Sequence, residues 1–444
     1  MPKLNADILY LIFKELHYDK RTLYSCLLVN KIWCETTISI LWNDPWKYLF
    51  GRNYAKGLDF ILKESLLLDL IISHLSDEKI NNIMSQGIFF TSYNLYKKPL
   101  LFNYINFCKH LNLKAIDELV SDSGMRIIYD DLIHLFINEN ATFTHLYIHE
   151  NFDYQIQLIP GAEHCITKVD FLSCHTNITD NVLYGLIKIC KSIKKLELII
   201  NEKDNNYRIA ELIENQKSLF NVRYLIGSVL ELGCAIYHNR EKWYYLENLS
   251  LPHLQVLKDD NVCPVKYLAN MIEDTSGYLI KITLNGLDYD DFNNKRIIQA
   301  IYTKCPNLEF LKIGIKNNNI LELENLLINC GYLNGLFIPE DSNKDGRYWD
   351  DSEIEFFDIL SLFEVLARSS PANLFKFKFR FKVIDAIQME FLELFFDNWK
   401  GRAPMLLQIA EFYIGQNDLV EKYKPEGIIE KFDDDLYGED FEWD

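Results

Sequence analysis

Apolar positions change their period along the chain, and the changes divide it. Near the start, Ile8, Leu9, Ile12, Phe13 and Leu16 recur at helical spacing; Asn5 is placed to cap the helix, and Asp7 falls in the first turn, where a carboxylate is favoured. Leu23, Cys26, Leu27 and Val29 outline a second short helix, and Ile32, Trp33, Thr36, Ile40 and Leu41 a third. Three helices in about forty residues are too small a unit to bury their own apolar surface, so the segment has to dock on the rest of the chain or on a partner. Residues 46–142 read as helices broken by polar turns: one or two over Leu58 to Leu75, one from Leu100 to Leu113, and a pair within Ile116 to Ile137. Lys97-Lys98-Pro99 marks a loop, because proline disfavours helix at the residue before it.

From residue 143 the pattern becomes a repeat. Phe143-x-x-Leu146-x-Ile148-x-x-Asn151, Ile166-x-x-Val169-x-Phe171-x-x-Cys174 and Ile193-x-x-Leu196-x-Leu198-x-x-Asn201 each fit the leucine-rich-repeat template L-x-x-L-x-L-x-x-N/C. Looser copies follow at Leu219/Val222/Tyr224, Leu246/Leu249/Leu251, Leu279/Ile282/Leu284, Leu308/Leu311/Ile313, Leu333/Leu336/Ile338 and Leu374/Phe377/Phe379. Starts lie 23 to 33 residues apart, with 41 before the last, which is room for a strand and a return helix in each repeat. The segments between them, such as Val182–Cys190 and Ile297–Cys305, carry helical periodicity. An ordinary α/β domain of βα units is the alternative, and the regular x-L-x-L-x strands disfavour it.

The opening stretch resembles an F-box: Leu4, the Ile12-Phe13 pair, Val29 before Trp33, and Leu41-Trp42 appear in the family's order, with Asn5 where the family usually has proline. Asn177-Ile178-Thr179-Asp180 followed by Leu186, Cys190, Ile193 and Leu196 is similar to the cysteine-containing repeats common in F-box proteins. The resemblance implies a non-catalytic substrate receptor of an SCF-type ubiquitin ligase. Its first 45 residues would bind the Skp adaptor, and through it a cullin-RING scaffold, by Leu4, Leu9, Ile12, Leu27, Val29 and Trp33. The expected architecture is an α/β leucine-rich-repeat solenoid, or horseshoe, over 143–432, preceded by the F-box-like module (1–45) and a helical connector (46–142), and followed by an acidic disordered tail (433–444). A non-ligase repeat scaffold, with the opening helices acting only as a cap, is the other reading.

Charge sharpens the expectation about the target. A net charge of −18 argues against general nucleic-acid binding. Yet the outward positions of the aligned strands carry Lys168, Lys195, Arg223, Lys281, Lys312, Lys376, Lys378 and Arg380 against only Asp170 and Glu197. That local excess predicts an acidic or phosphorylated target segment, with Tyr147, Phe310 and Phe337 as anchors. Alternatively, the bases guard a sheet edge or bind the chain's own acidic end.

The remaining chemistry is sparse. Ten cysteines include no C-x-x-C pair, and His164-Cys165 with Cys174-His175 matches no closed zinc spacing. Asp341-x-Asn343-x-Asp345-Gly346 has the start of a calcium loop, but its twelfth position is Ser352, so a solvated insertion is expected. No nucleophile elbow, phosphate loop, dinucleotide fingerprint or metalloprotease helix occurs. No cofactor, metal or membrane partner is expected. The start fits no secretory signal, which makes an intracellular protein, cytoplasmic or nuclear, the default.

Overall fold

The computed structural model describes residues 5–17, 19–48, 58–85, 100–122, 126–200, 206–226, 249–260, 263–285, 290–339, 357–380, 386–410 and 416–433. Its two compact units comprise 1–195 with 215–217, and 196–214 with 218–444. The expected loop at Lys97-Lys98-Pro99, the calcium-like insert and the tail beyond Asp433 lie outside the described residues.

The first unit begins with helices α1 (Ala6–Glu15), α2 (Lys20–Cys26) and α3 (Lys31–Leu41). Asp19 and Asn30 cap α2 and α3 by accepting from Thr22 N and Trp33 N at 3.1 and 3.0 Å. Asn5 occupies the cap position of α1 without making that bond, contrary to expectation; its amide turns instead toward Asp7. These helices close a small core of Leu9, Phe13, Leu23, Cys26 and Ile40, with Leu16, Trp33 and Leu41 packed against it.

Helices α4 (Leu58–Ile72) and α5 (Asp77–Ser85) follow, then strand β1 (His110–Asn112), α6 (Leu113–Asp122), α7 (Tyr129–Phe136), β2 (His145–Ile148), α8 (Ala162–Ile166), β3 (Phe171–His175) and α9 (Asp180–Ile189). Leu100 to Leu113 is therefore not a helix. It holds a 3-10 turn at Tyr104–Phe107 and then β1, which pairs in parallel with β2. The strand ladder thus starts inside the segment read as a helical connector. Leu111 and Leu113 fill the two inward positions, and a single three-residue strand offers too few alternations to announce itself.

β4 (Lys195–Ile200) bridges the division of the chain. The second unit continues with α10 (Arg208–Glu214), β5 (Asn221–Ile226), β6 (Val256–Asp259), α11 (Val265–Glu273), β7 (Lys281–Leu284), α12 (Asp291–Lys304), β8 (Phe310–Lys312), α13 (Ile320–Asn329) and β9 (Gly335–Ile338). It ends with α14 (Ile359–Ser369), β10 (Lys376–Arg380), α15 (Ala386–Asn398), β11 (Met405–Ala410), α16 (Gln416–Tyr423) and β12 (Ile429–Asp433). In each unit the strands neighbour one another in chain order, and every described pairing is parallel. Each strand is thus built beside the one before it, as a leucine-rich repeat requires.

The register corrects two of the nine expected repeats. Leu146 lies opposite Leu172, and Ile148 opposite Cys174, so the second repeat reads Val169-x-x-Leu172-x-Cys174-x-x-Asn177, three residues later than expected. Phe171 therefore leaves the inward set. Val222 pairs with Leu257 and Tyr224 with Asp259, which places the fifth repeat at Leu254/Leu257/Asp259 rather than Leu246/Leu249/Leu251. An aspartate at an inward leucine position hides this repeat from the template. It is tolerated because Asp259, fully buried, accepts a hydrogen bond from Cys263 N at 3.0 Å. Strands β11 and β12 extend the ladder beyond the last expected repeat.

Candidate interaction surfaces

On α1, the inward arc is Leu9 and Phe13, while Ile8, Leu11 and Ile12 fall on the other side at i, i+3 and i+4. Leu9, expected on the adaptor surface, is only 2 % exposed and belongs to the three-helix core. Trp33 packs edge-on against Phe13 at 5.0 Å and is half-buried, as is Leu27. Ile12 and Val29 are exposed as expected, and Leu4 lies outside the described residues. The expected adaptor set left out Leu11, Leu28 and Ile32, and the helical pattern did not separate Ile8 from the core arc; Leu28 is 89 % exposed. These exposed apolar side chains are spread over α1, the α2–α3 junction and the start of α3.

The same module is tied to the first strand. Lys109 N donates to Asn43 O at 2.9 Å, and the buried indole of Trp46 donates to His110 O at 2.7 Å, its ring 5.6 Å from that of Phe136. His110 stacks on His145 at 3.8 Å. Burial depresses both to about 4, helped by the Lys47 charge near His110 and by His110 itself near His145. Asp44 sits 3.5 Å from His110 Nδ1, and the Asp170 charge favours the protonated ring, but desolvation outweighs it.

The expected basic face is built from the outward positions of the second unit. One register row runs Arg223, Lys258, Thr283, Lys312, Phe337, Lys378 and Gln408; its neighbour runs Val256, Lys281, Phe310, Gly335, Lys376 and Leu406. Lys281 stands over the Phe310 ring at 4.9 Å, and Lys312 and Lys378 share the Phe337 ring at 4.4 and 4.9 Å. The Phe310 ring lies over Gly335, where a side-chain carbon would meet it at 2.9 Å. Phe337 is thus a floor for ammonium groups rather than a protruding anchor.

Other expected members stand apart. Lys168 precedes β3, exposed, and the corrected register removes it from this face. Lys195 is exposed at the start of β4, and Arg380 at the end of β10. Arg223 is bound between Glu197 at 3.5 Å and Asp260 at 3.2 Å, which neutralises that end of the row. Tyr147, in the first unit, packs with Phe171 at 5.3 Å. Lys258 was missed because the fifth repeat was misplaced.

Cys165, Cys190, Cys305 and Cys330 are fully buried around the helix ends that precede strands. Burial pushes Cys165, Cys190 and Cys330 up to about 12, and Cys305 higher still, which suppresses the thiolate. Among the described residues, no group of three or more His, Cys, Asp or Glu is placed to hold a metal ion, and no helix is long and apolar enough to cross a membrane.

No family model matches this chain. No curated protein matches it. Among solved structures, the leucine-rich repeat-containing protein LegL7 from Legionella pneumophila is similar, with a TM-score of 0.36 at 13 % identity over 65 % of this chain and 82 % of that one. The parallel ladder in chain order, with its inward leucines, fits a leucine-rich-repeat fold on its own geometry.

Proposed function

We propose that the chain is the substrate-recognition subunit of an SCF-type ubiquitin ligase, binding the Skp adaptor through α1–α3 and a target protein on the strand ladder. The observation that carries this reading is the exposed apolar set Ile8, Leu11, Ile12, Leu28, Val29 and Ile32 on a module whose sequence resembles an F-box. The receptor itself supplies no reactive group. It accelerates transfer by placement, converting a bimolecular encounter into a nearly intramolecular one. The bonds from Lys109 to Asn43 and from Trp46 to His110 suit this role, because a tether fixed to the ladder holds the adaptor at a set distance.

Those same bonds favour a second reading, in which α1–α3 only cap the ladder's first strand. A cap needs its inward face alone and gains nothing from an outward apolar set, so the first reading is preferred. Affinity capture with the intact chain and with a chain lacking the first 45 residues tests the choice: Skp adaptor and cullin should be recovered only with the intact chain. Their absence from both captures would leave the scaffold reading.

A further inference from the structure

The surface of α1 divides into three arcs. Leu9 and Phe13 face the core, and Ile8, Leu11 and Ile12 belong to the exposed apolar set. Ala6, Asp7 and Tyr10 fall on the remaining flank, where Tyr10 lies about 160° round the helix from Ile8 and Ile12. Across from them on α3, Ile32, Glu35, Thr36 and Ser39 recur at i, i+3, i+4 and i+7. With Asn5, these side chains line an open groove of about 650 Å³, wholly within the first unit.

The hydrogen bonds along the groove leave it rich in acceptors. Thr36 Oγ1 donates to Ile32 O at 2.8 Å, Ser39 Oγ donates to Thr36 O at 2.7 Å, and Asn5 Nδ2 donates to Asp7 Oδ2 at 3.4 Å. The protons of both helix hydroxyls are therefore engaged, while the oxygens of Asp7, Glu35, Thr36 and Ser39 can each still accept. Two carboxylates stand in the lining and no cation does. Lys14, one turn beyond Tyr10, is exposed and outside the lining. Lys31 reaches Glu35 at 3.7 Å from outside it, with side chains 85 and 46 % exposed, a pair that water and salt weaken readily. The half-exposed Tyr10 ring and Ile32 add flat apolar wall.

Such a groove fits a group that is positive, planar and wholly donor. Among side chains guanidinium alone is all three: it has five N–H donors and no acceptor, and its face stacks on an aromatic ring. A volume of this size takes a short length of chain rather than a lone ion. We propose that the α1–α3 groove is a docking site for an arginine-bearing segment of a protein partner, held by Asp7 and Glu35 with a guanidinium against Tyr10. The site shares only Ile32 with the apolar set assigned to the adaptor, and it does not depend on that assignment.

Fluorescence anisotropy tests it, with the intact chain and a labelled alanine-rich helical peptide carrying two arginines four residues apart. Binding should saturate, and should weaken as salt is added. The same peptide with citrulline for arginine keeps the planar shape and loses the charge; it should bind about tenfold more weakly or worse, as should the arginine peptide to a chain carrying Asp7→Asn and Glu35→Gln. Both positions are exposed, and circular dichroism verifies that this variant keeps its helices. A chain carrying Ile12→Asp and Val29→Asp, altered outside the groove, should bind the arginine peptide as the parent does even when it has lost the adaptor, so the two readings fail separately. No saturable binding by the parent would overturn the proposal. So would equal binding of the citrulline peptide, undiminished binding by the Asp7→Asn, Glu35→Gln chain, or binding lost only in the Ile12→Asp, Val29→Asp chain.

Discussion

Asn294 offers the sharpest test of how neighbouring repeats are locked together. Its side chain, 1 % exposed on α12, donates to Gly314 O at 2.8 Å and accepts from Lys316 N and Asn319 Nδ2, both at 3.0 Å. Asn319 in turn donates to Asp291 O at 2.8 Å, closing a buried amide network that holds the turn after β8 against the previous repeat's helix. Replacing Asn294 with alanine removes one acceptor and one donor and leaves a backbone N–H and a C=O buried without these partners. At about 1–3 kcal/mol for each stranded group, the network should lose about 3 kcal/mol. Hydrogen exchange of the Lys316 amide reads that loss directly. At 1.4 kcal/mol per factor of ten, its protection should fall about 100-fold, while amides of β2 and β3 in the first unit are unchanged. A fall of less than about threefold at Lys316 would show that the network is ornamental and that leucine packing alone holds the repeats.

Two further outcomes follow from the buried titratable groups. His110, His145 and His149 are depressed to about 4, chiefly by burial, so each stays neutral in the folded chain while its unfolded counterpart takes up a proton below about 6.5. Stability of the first unit should therefore be level above pH 6.5 and fall as pH drops toward 4. After allowing for solvent screening of these partly exposed rings, the loss is on the order of 1–2 kcal/mol per histidine. Denaturation midpoints measured at pH 7 and pH 4.5 should differ less in a chain carrying His110→Asn and His145→Asn, and an equal difference in both chains would refute the assignment. The depressed thiolate content of Cys165, Cys190 and Cys330 predicts that iodoacetamide at pH 8 leaves all three unmodified in the folded chain while labelling the half-exposed Cys34. Rapid labelling of Cys190 would contradict its structural role.

The repeat ladder was legible wherever two leucines two residues apart mark a strand, as at Leu196/Leu198, Ile282/Leu284 and Leu336/Ile338. It was misread where another side chain takes the second inward place. Cys174 fills that place in β3, and Phe171, two residues after Val169, mimicked a strand leucine; Asp259 fills it in β6. β1 was lost because it is only three residues long and follows a 3-10 turn rather than a recognisable repeat helix. At the N-terminus, helical periodicity found the apolar residues of α1 but merged two arcs. Leu9 and Phe13 face the small core, while Ile8 and Ile12 face outward, a distinction that depends on where α3 packs. Alternation alone sets the basic residues of the second unit opposite the inward leucines, but not their depth: the cation–aromatic contacts of Lys312 and Lys378 with Phe337 arise between residues 25 and 41 positions apart in sequence, and only the register reveals them.

The adaptor claim is tested most directly by titrating purified Skp adaptor into the intact chain and into a variant with Ile12→Asp and Val29→Asp. Both positions are exposed, so the charges should leave the Leu9–Phe13 core folded, as helicity and tryptophan fluorescence would verify. The account predicts saturable binding by the parent and at least a 100-fold weaker interaction for the folded variant. A parent that does not bind, or a variant that binds as tightly as the parent, would contradict it.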